Sequence, residues 1–115
     1  MTQGEKDLVL KDLCARLPYK VKVCFYEKET CVLLGIDGYE VYLDIDSDSF
    51  RIESIKPYLR PMSSMTEEEK EILRTLKWTK LEHHTVDWLN SHHFDYRGLI
   101  NMRLALEAPE GMYKI

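Results

Sequence analysis

The dipeptide Asp37-Gly38, in the stretch VLLGIDGYEVYLDI, constrains the fold of this chain more than any other feature. An Asp-Gly pair between two alternating apolar runs is a strong signal for a two-residue β-hairpin turn, because that turn needs a positive φ at both central positions. The apolar residues on either side then fall on one face. The sequence therefore predicts two antiparallel strands, residues 31–36 and 39–45.

The predicted register joins apolar residues to one another across each turn. Around the first turn, the pairs are Ile36 with Tyr39, Leu34 with Val41, and Val32 with Leu43. The other pairs are Ile45 with Phe50, across a turn at residues 46–49, and Phe25 with Val32. A slip of one residue would turn every side chain to the other face, so we expect this register to be well specified.

The predicted sheet is a four-stranded antiparallel meander, with strands at residues 20–26, 31–36, 39–45 and 50–55. Its inner face needs a cover, and the first helix is the nearest candidate. Its outer face is too apolar to stay bare in water, so the C-terminal segments, a partner or a second copy must cover it. The apolar residues of that outer face are Cys24, Tyr26, Cys31, Leu33 and Tyr42.

The segments before and after the sheet have their own patterns. A stripe of apolar residues at helical spacing predicts a first helix at residues 4–16, which ends before Pro18. This stripe, which is predicted to lie in the core, consists of Leu10, Leu13, Cys14 and Leu17. After the sheet, Pro57 and Pro61 block a strand ladder or a helix. Residues 57–65 are therefore predicted to form an extended connector.

Two helices are predicted in the C-terminal half. Thr66 and Glu69 form a capping box, in which each side chain reaches the backbone of the other residue, and glutamates fill the first turn. For the third helix, we prefer Thr85 as the cap of a helix at residues 86–93. A second capping box that begins at Thr79 is the alternative start.

Together these elements predict an α+β fold in a single domain, residues 1–115. An N-terminal helix and a four-stranded antiparallel β-meander occupy residues 1–56, with a small barrel as the alternative form of the sheet. The connector follows at residues 57–65, and C-terminal helices occupy residues 66–115. A chain of 115 residues can bury a core without metals or disulfides.

Composition and charge argue against several classes of function. A net charge of −4, without a basic tail, gives no help in approaching nucleic acid or an anionic membrane. The stretch MTQGEKDLVL lacks the apolar run of a secretory signal, and no apolar stretch has the length of a membrane span. Three cysteines without a CxxC motif indicate free thiols in a reducing cytosol. We therefore expect a cytoplasmic protein without membrane contact.

Three segments, which cover more than half of the chain, carry a resemblance to a family. Conserved blocks of proteins encoded by gut Bacteroides species, their prophages and related phages are similar to LVLKDLCARLPYKVKV, IKPYLRPMSSMTEEE and TVDWLNSHHFDYRGLINMRLALEAPEGMY. That family has no established activity. The resemblance implies a bacterial cytoplasmic context and a phage or prophage origin.

The stretch TVDWLNSHHFDYRGLI, residues 85–100, holds the densest set of candidate site residues. Its adjacent histidines, His92 and His93, would point about 100° apart on a helix and could not bind one ion from one face. No HExxH motif and no third ligand occur at a recognisable spacing. The segment DIDSDS begins like a calcium loop, but it lacks the required glycine and glutamate further on. We therefore predict no metal, no cofactor and no catalytic residue.

The motif DYRG completes this set of binding candidates. Arg97 could present its guanidinium group to a phosphate or a carboxylate, since Gly98 permits a tight turn. In the structural interpretation, which we favour, Asp95 caps the next turn, and Arg97 pairs with it or spans two helix ends. The candidate binding residues of this segment are His92, His93, Asp95 and Arg97.

The outer face of the predicted sheet supplies a second set, in which the candidate contacts for a partner are Lys22, Tyr26, Leu33 and Tyr42. The lack of a coherent catalytic set, together with two apolar sheet faces, favours a non-enzymatic module that binds a protein partner or forms a homo-oligomer. A nucleic-acid-associated accessory protein, with tyrosines stacked on bases, is the alternative. An enzyme that uses His92 or His93 is the third hypothesis.

Overall fold

In the computed structural model, an N-terminal helix precedes a sheet, and two more helices follow the fifth strand. The structure describes residues 1–26, 28–78 and 82–113. The helices in these ranges are α1 (Gln3–Arg16), α2 (Glu67–Trp78) and α3 (Glu82–Ser91). The strands are β1 (Lys22–Phe25), β2 (Glu29–Asp37), β3 (Glu40–Leu43), β4 (Ser49–Arg51), β5 (Ile55–Leu59) and β6 (Leu106–Glu107).

The strands form an open sheet in the order β4-β3-β2-β1-β5-β6. Neighbouring strands are antiparallel, except that β6 runs parallel to β5. The α+β class and the β-meander are therefore confirmed. The described part of the sheet has six strands instead of the predicted four, and it is not closed, so the barrel alternative is wrong.

The first predicted turn is shifted by one residue. Asp37 pairs with Glu40, so the loop consists of Gly38 and Tyr39 instead of Asp37 and Gly38. Gly38 has a φ of +60°, which suits the first loop position of a turn that needs glycine there. The Tyr39 hydroxyl also donates a hydrogen bond to Asp7 of α1. This contact joins the shifted turn to α1, and the sequence around the turn alone does not predict it.

A β-bulge in β2 changes which side chains face the core. Leu33 lies opposite Leu43 and Gly35 lies opposite Tyr42, so Leu34 has no opposite residue. One extra residue reverses the side that all the preceding residues of the strand face. Leu33 is therefore buried, although the sequence predicted it on the outer face, and Leu34 is 61% exposed, although it was predicted in the core.

The same reversal changes the pairing of β1 with β2. Val23 lies opposite Cys31, whereas the sequence predicted that Phe25 would pair with Val32. Cys31 is buried in the main core, and Cys24 points to the other side of the sheet. The expectation that Cys24 and Cys31 share one face is therefore wrong, and all three cysteines are free thiols.

The turn between β3 and β4 is longer than predicted. Val41 pairs with Phe50, whereas the sequence paired Ile45 with Phe50. Val41 and Ile45 are four residues apart, and side chains separated by an even number of residues face the same side of a strand. Val41 and Phe50 therefore still share the inner face. Ile45 lies in the loop and is 41% exposed.

The predicted connector begins inside a strand, because Pro57 belongs to β5 and lies opposite Val23 of β1. The Tyr26 amide donates a hydrogen bond to the Ser54 carbonyl. Since antiparallel pairs alternate, the Val23–Pro57 pair exchanges no backbone hydrogen bond. A proline lacks the N–H group, so it fits this position without leaving a neighbouring acceptor unpaired.

Helix α1 lies where it was predicted, but its buried side differs from the predicted stripe. Val9 and Leu13 pack against the sheet, and charged Asp12 and Arg16 are also fully buried. Cys14, which was predicted in the core, is exposed. The prediction was wrong because it assigned the charged residues of the helix to solvent.

The capping box of α2 is confirmed, because the backbone N–H groups of Thr66 and Glu69 donate to each other's side chains. Helix α3 begins at Glu82, so the preferred cap at Thr85 is wrong. The alternative cap, Thr79, lies outside the described residues. The C-terminal part also contributes β6, so it is not purely helical.

The bulge makes a specific prediction about deletions. We expect deletion of Leu34 to cost less than about 2 kcal/mol, because a regular ladder would keep every inward side chain on its present side. The matched control is deletion of Val32, which would reverse the remaining N-terminal part of β2 and prevent folding. Urea unfolding checks this, because the Leu34 deletion should keep a cooperative transition and the Val32 deletion should show none. The same outcome for both variants would contradict the bulge assignment.

Candidate functional site

The loop that carries His92, His93, Asp95 and Arg97 is joined to the residue that follows β5. The Arg60 amide donates to the His93 carbonyl at 2.7 Å, and the Asp95 amide donates to the Arg60 carbonyl at 2.8 Å. Phe94, between these two bonds, is fully buried. The loop is therefore held against the sheet by its backbone, which fixes where its side chains point.

Asp95 stabilises the turn that follows it. Its two carboxylate oxygens accept hydrogen bonds from the backbone N–H groups of Leu99 and Ile100, at 2.8 and 3.0 Å. The side chain is buried, and this is the capping role that the structural interpretation assigned to it. Both oxygens of Asp95 therefore serve the local backbone.

Arg97 forms its ion pair with Asp12 of α1 and not with Asp95. Its guanidinium group donates to Asp12 Oδ1 at 2.9 Å and to the Tyr96 hydroxyl at 2.8 Å. The second oxygen of Asp12 accepts from Arg16 Nε at 2.8 Å, and Arg16 Nη2 donates to the Phe94 carbonyl at 2.6 Å. A buried carboxylate thus joins two arginines and ties α1 to the loop.

Asp12 and Arg16 were not among the site residues predicted from the sequence. Charged residues are almost never fully buried unless they are paired, so both were assigned to the polar side of α1. Their spacing of four residues was the available signal, because it places the two side chains next to each other on a helix. The partner on the loop, 85 residues away, leaves no local signal.

A second ion pair joins the end of β5 to α2. Two nitrogens of Arg60 donate to the two oxygens of Glu69, at 2.8 and 2.7 Å, and the guanidinium group lies 4.1 Å from the centre of the Phe94 ring. The hydrogen bonds from Arg60 lower the pKa of Glu69 to about 2. Glu69 is therefore charged at neutral pH although it is buried.

The two candidate histidines have different environments. The His92 ring is half-buried and stacks on Trp88, with Nδ1 3.0 Å from the Trp88 carbonyl oxygen. His93 is buried, has a φ of +64° and stacks on the Tyr113 ring at 3.7 Å. Burial, and then the charge of Arg16, lower the pKa of His93 to about 4. No atom of the described residues forms a hydrogen bond with its Nδ1.

The segment Pro109–Tyr113, which we call the C-terminal strap, crosses the end of the ladder between β1 and β5. The Tyr113 hydroxyl accepts a hydrogen bond from the Lys22 amide at 2.9 Å and donates one to the Tyr58 carbonyl at 2.8 Å. The last regular pair of these strands is Val23 with Pro57, next to Lys22 and Tyr58. The phenol therefore bridges two strands where a backbone hydrogen bond would otherwise form, and burial raises its pKa to about 12.

The structure disperses the four candidates of the outer sheet face. Lys22 reaches the strap, where its ammonium group donates to the Met112 carbonyl at 3.1 Å. Leu33 belongs to the core, so its assignment to the outer face is wrong. Tyr26 is 66% exposed in the turn after β1. Of the four, only Tyr42 remains on an exposed strand face.

Tyr42 and its neighbours form a surface that we call the open face. It lies on the outer side of β2 and β3 and consists of Val32, Leu34, Glu40, Tyr42 and Asp44. The Tyr42 ring packs over Gly35, where a Cβ atom would lie 3.6 Å from the ring. A methyl group at Gly35 would therefore meet the aromatic ring at an ordinary van der Waals distance.

Within the described residues, no three His, Cys, Asp or Glu side chains are grouped to hold a metal ion. The exposed rings of His83 and His84 contact each other edge to face. The helices in this part of the chain are too short or too polar to cross a lipid bilayer. No family model, curated protein or solved structure matches this chain.

The arrangement of polar groups around Phe94 is suited to holding elements together. Asp95 and Arg97 make their hydrogen bonds to the protein itself, and the His93 ring is covered by Tyr113. Among the features of the described residues that another molecule can reach are the open face and a cleft of about 710 Å³ beside the strap. This cleft is lined in part by Lys20, Lys22 and His93.

Removing the buried carboxylate tests the network around α1. We expect Asp12→Ala to lose about 3–5 kcal/mol of unfolding free energy, because Arg16 would remain buried without its ion-pair partner. Asp7→Ala is the matched control in the same helix, with an expected loss below about 1 kcal/mol, because Asp7 is exposed. Urea unfolding at neutral pH measures both, and a similar small loss for Asp12→Ala would contradict the role of the network.

Acid titration tests the Arg60–Glu69 pair. The pKa of Glu69 is lowered in the folded state, so its contribution is present above pH 4.5 and is lost as the pH falls towards about 2. The loss is on the order of 3 kcal/mol. We expect Glu69→Gln to remove this component from the pH profile of unfolding, whereas Glu68→Gln, at an exposed neighbour, should keep it. Identical acid profiles for the two variants would contradict the assignment.

Proposed function

We propose that this protein is a non-enzymatic interaction module that binds a partner protein through the open face. The observation that carries the proposal is the exposure of apolar side chains on an ordered strand pair, with Leu34 at 61% and Tyr42 at 36%. Apolar side chains clustered on a sheet surface and rimmed by polar residues are typical of protein contact sites. A tyrosine at the centre is favourable, because aromatic residues are enriched among the residues that dominate binding energy.

The charge around the open face selects the class of partner. Residues 29–50 contain six acidic residues and no lysine or arginine. Glu40 and Asp44 lie on the face itself, and Arg51 of the neighbouring strand lies opposite Glu40. We therefore propose a cationic protein segment with apolar side chains as the partner, because opposite charges speed association and exclude wrong partners.

A homo-oligomer built on this face is the less favoured form of the proposal. A two-fold interface brings the same patch of both copies together. Glu40 and Asp44 of one copy would then approach those of the other, which costs free energy through the repulsion of like charges.

The two other hypotheses have weaker support. A polyanionic nucleic acid needs a basic surface, but Glu40 and Asp44 flank Tyr42, and the ammonium group of Lys22 is bound by the strap. A histidine-dependent enzyme needs an imidazole that can reach a substrate, but His93 is buried against Tyr113, and the half-buried His92 ring stacks on Trp88.

The resemblance to proteins of Bacteroides and their phages supports a phage or prophage protein acting in the cytoplasm.

A peptide titration tests the proposal. The probe is a synthetic peptide of alternating lysine and leucine, added to the 15N-labelled protein, with amide shifts followed by NMR. We expect the largest shifts at the open face. Leu34→Ser and Tyr42→Ser should each weaken binding by about tenfold, as expected for central contact residues. Ile72→Ser is the matched control, because Ile72 is 45% exposed on α2, and it should leave binding unchanged.

Two further titrations separate the hypotheses. A peptide of alternating glutamate and leucine should not bind, because only its charge differs from that of the first probe. Salt-dependent binding of single-stranded DNA through the same amides would favour the nucleic-acid alternative. Equal binding of the basic and acidic peptides, or no change in the Tyr42→Ser variant, would overturn the proposal.

A further inference from the structure

Tyr113 makes several of the contacts that hold the strap to the body of the protein. Its hydroxyl group bridges β1 and β5, and its ring stacks on His93 with an angle of 15° between the planes. Within the described residues, the Lys22 ammonium group also donates to the Met112 carbonyl and lies 5.8 Å from the centre of the Tyr113 ring. Whatever separates the Tyr113 ring from His93 therefore also opens the end of the β1–β5 ladder.

The charged groups around His93 come from every element packed against it. Arg16 of α1, Lys22 of β1, Arg60 after β5 and the neighbouring His92 all disfavour a positive charge on its ring. The carboxylates that neutralise two of them, Asp12 and Glu69, are bound to the arginines. In the strap itself, Glu110 lines the same cleft as His93.

The imidazole has no internal partner for a second proton. Its Nδ1 atom is buried and makes no hydrogen bond in the described structure. Arg16 Nη1 is also buried without a hydrogen-bond partner. A buried group that gains a charge without a compensating partner is strongly destabilised. The closed strap is therefore compatible with a neutral His93 and not with an imidazolium.

We propose that His93 and the C-terminal strap form an acid-released latch. When His93 takes up a proton, the strap leaves, water reaches the ring, and the Tyr113 hydroxyl withdraws from between Lys22 and Tyr58. The opened cleft presents Lys20, Lys22 and the protonated ring on one surface. This latch is independent of the open face and of the function proposed for it.

The direction of the effect follows from linkage. The closed state holds the pKa of His93 at about 4, below its ordinary value of 6.5. Acid therefore favours any state in which the ring is solvated, and it does so progressively as the pH falls from 6.5 to 4. If release restores the ordinary pKa, the equilibrium constant for opening rises by about 30-fold between pH 7.5 and pH 5.

Hydrogen exchange at a single amide measures the latch. The Lys22 amide donates to the Tyr113 hydroxyl, so it exchanges when the strap opens. The Leu33 amide, bonded to the Val21 carbonyl just beyond the end of the β1–β2 ladder, reports separation of these two strands. We expect the protection factor of Lys22 to fall by up to about 30-fold between pH 7.5 and pH 5, and to be lower than that of Leu33 at both values.

Two variants complete the test. His93→Asn keeps a residue that tolerates the positive φ but cannot titrate, so the protection of Lys22 should become independent of pH. Tyr113→Phe keeps the stacked ring and removes the acceptor, so Lys22 should lose protection at both pH values while Leu33 keeps it. Equal protection of Lys22 and Leu33 at both pH values, or an unchanged pH dependence in His93→Asn, would overturn the latch.

Discussion

The arrangement of helices and sheet depends on the ion pairs of the Asp12 carboxylate with Arg16 and Arg97. This carboxylate lies fully buried between Arg16 and Arg97, and Arg16 in turn binds the backbone of the loop after α3. That loop is bonded to Arg60 after β5, and Arg60 is paired with Glu69 of α2. A series of ion pairs and backbone hydrogen bonds thus connects the first helix to the second across the end of the sheet.

The sequence predicted which residues form strands better than it predicted how the strands pair. Alternation identified β1 to β4, but the register was wrong because Leu34 is an extra residue and Gly38 occupies the first position of its loop. Each feature shifts the pairing of β2 with β3 by one residue, and neither leaves a mark on the amino-acid composition of the strands. β5 was missed because a proline can occupy a pair that exchanges no hydrogen bond, an arrangement that depends on β1 and is invisible in the local sequence.

The candidate site shows the same limit. The role of Asp95 as a cap was predictable, because the groups that it binds lie four and five residues away in the sequence. The partners of Arg97 and His93 were not, because Asp12 and Tyr113 approach them only in the folded chain. A dense group of histidine, aspartate and arginine therefore indicated an important segment, and the structure assigns most of its polar atoms to contacts within the protein.

The bridging phenol of Tyr113 also bears on how the chain is made. Its hydroxyl joins the Lys22 amide, 91 residues earlier, to the Tyr58 carbonyl, 55 residues earlier. Because proteins are synthesised from the N-terminus, β1 and β5 emerge from the ribosome well before the group that completes their pairing. A sheet that formed before residue 113 was available would leave the Lys22 amide and the Tyr58 carbonyl to bond with each other or with water until Tyr113 came between them.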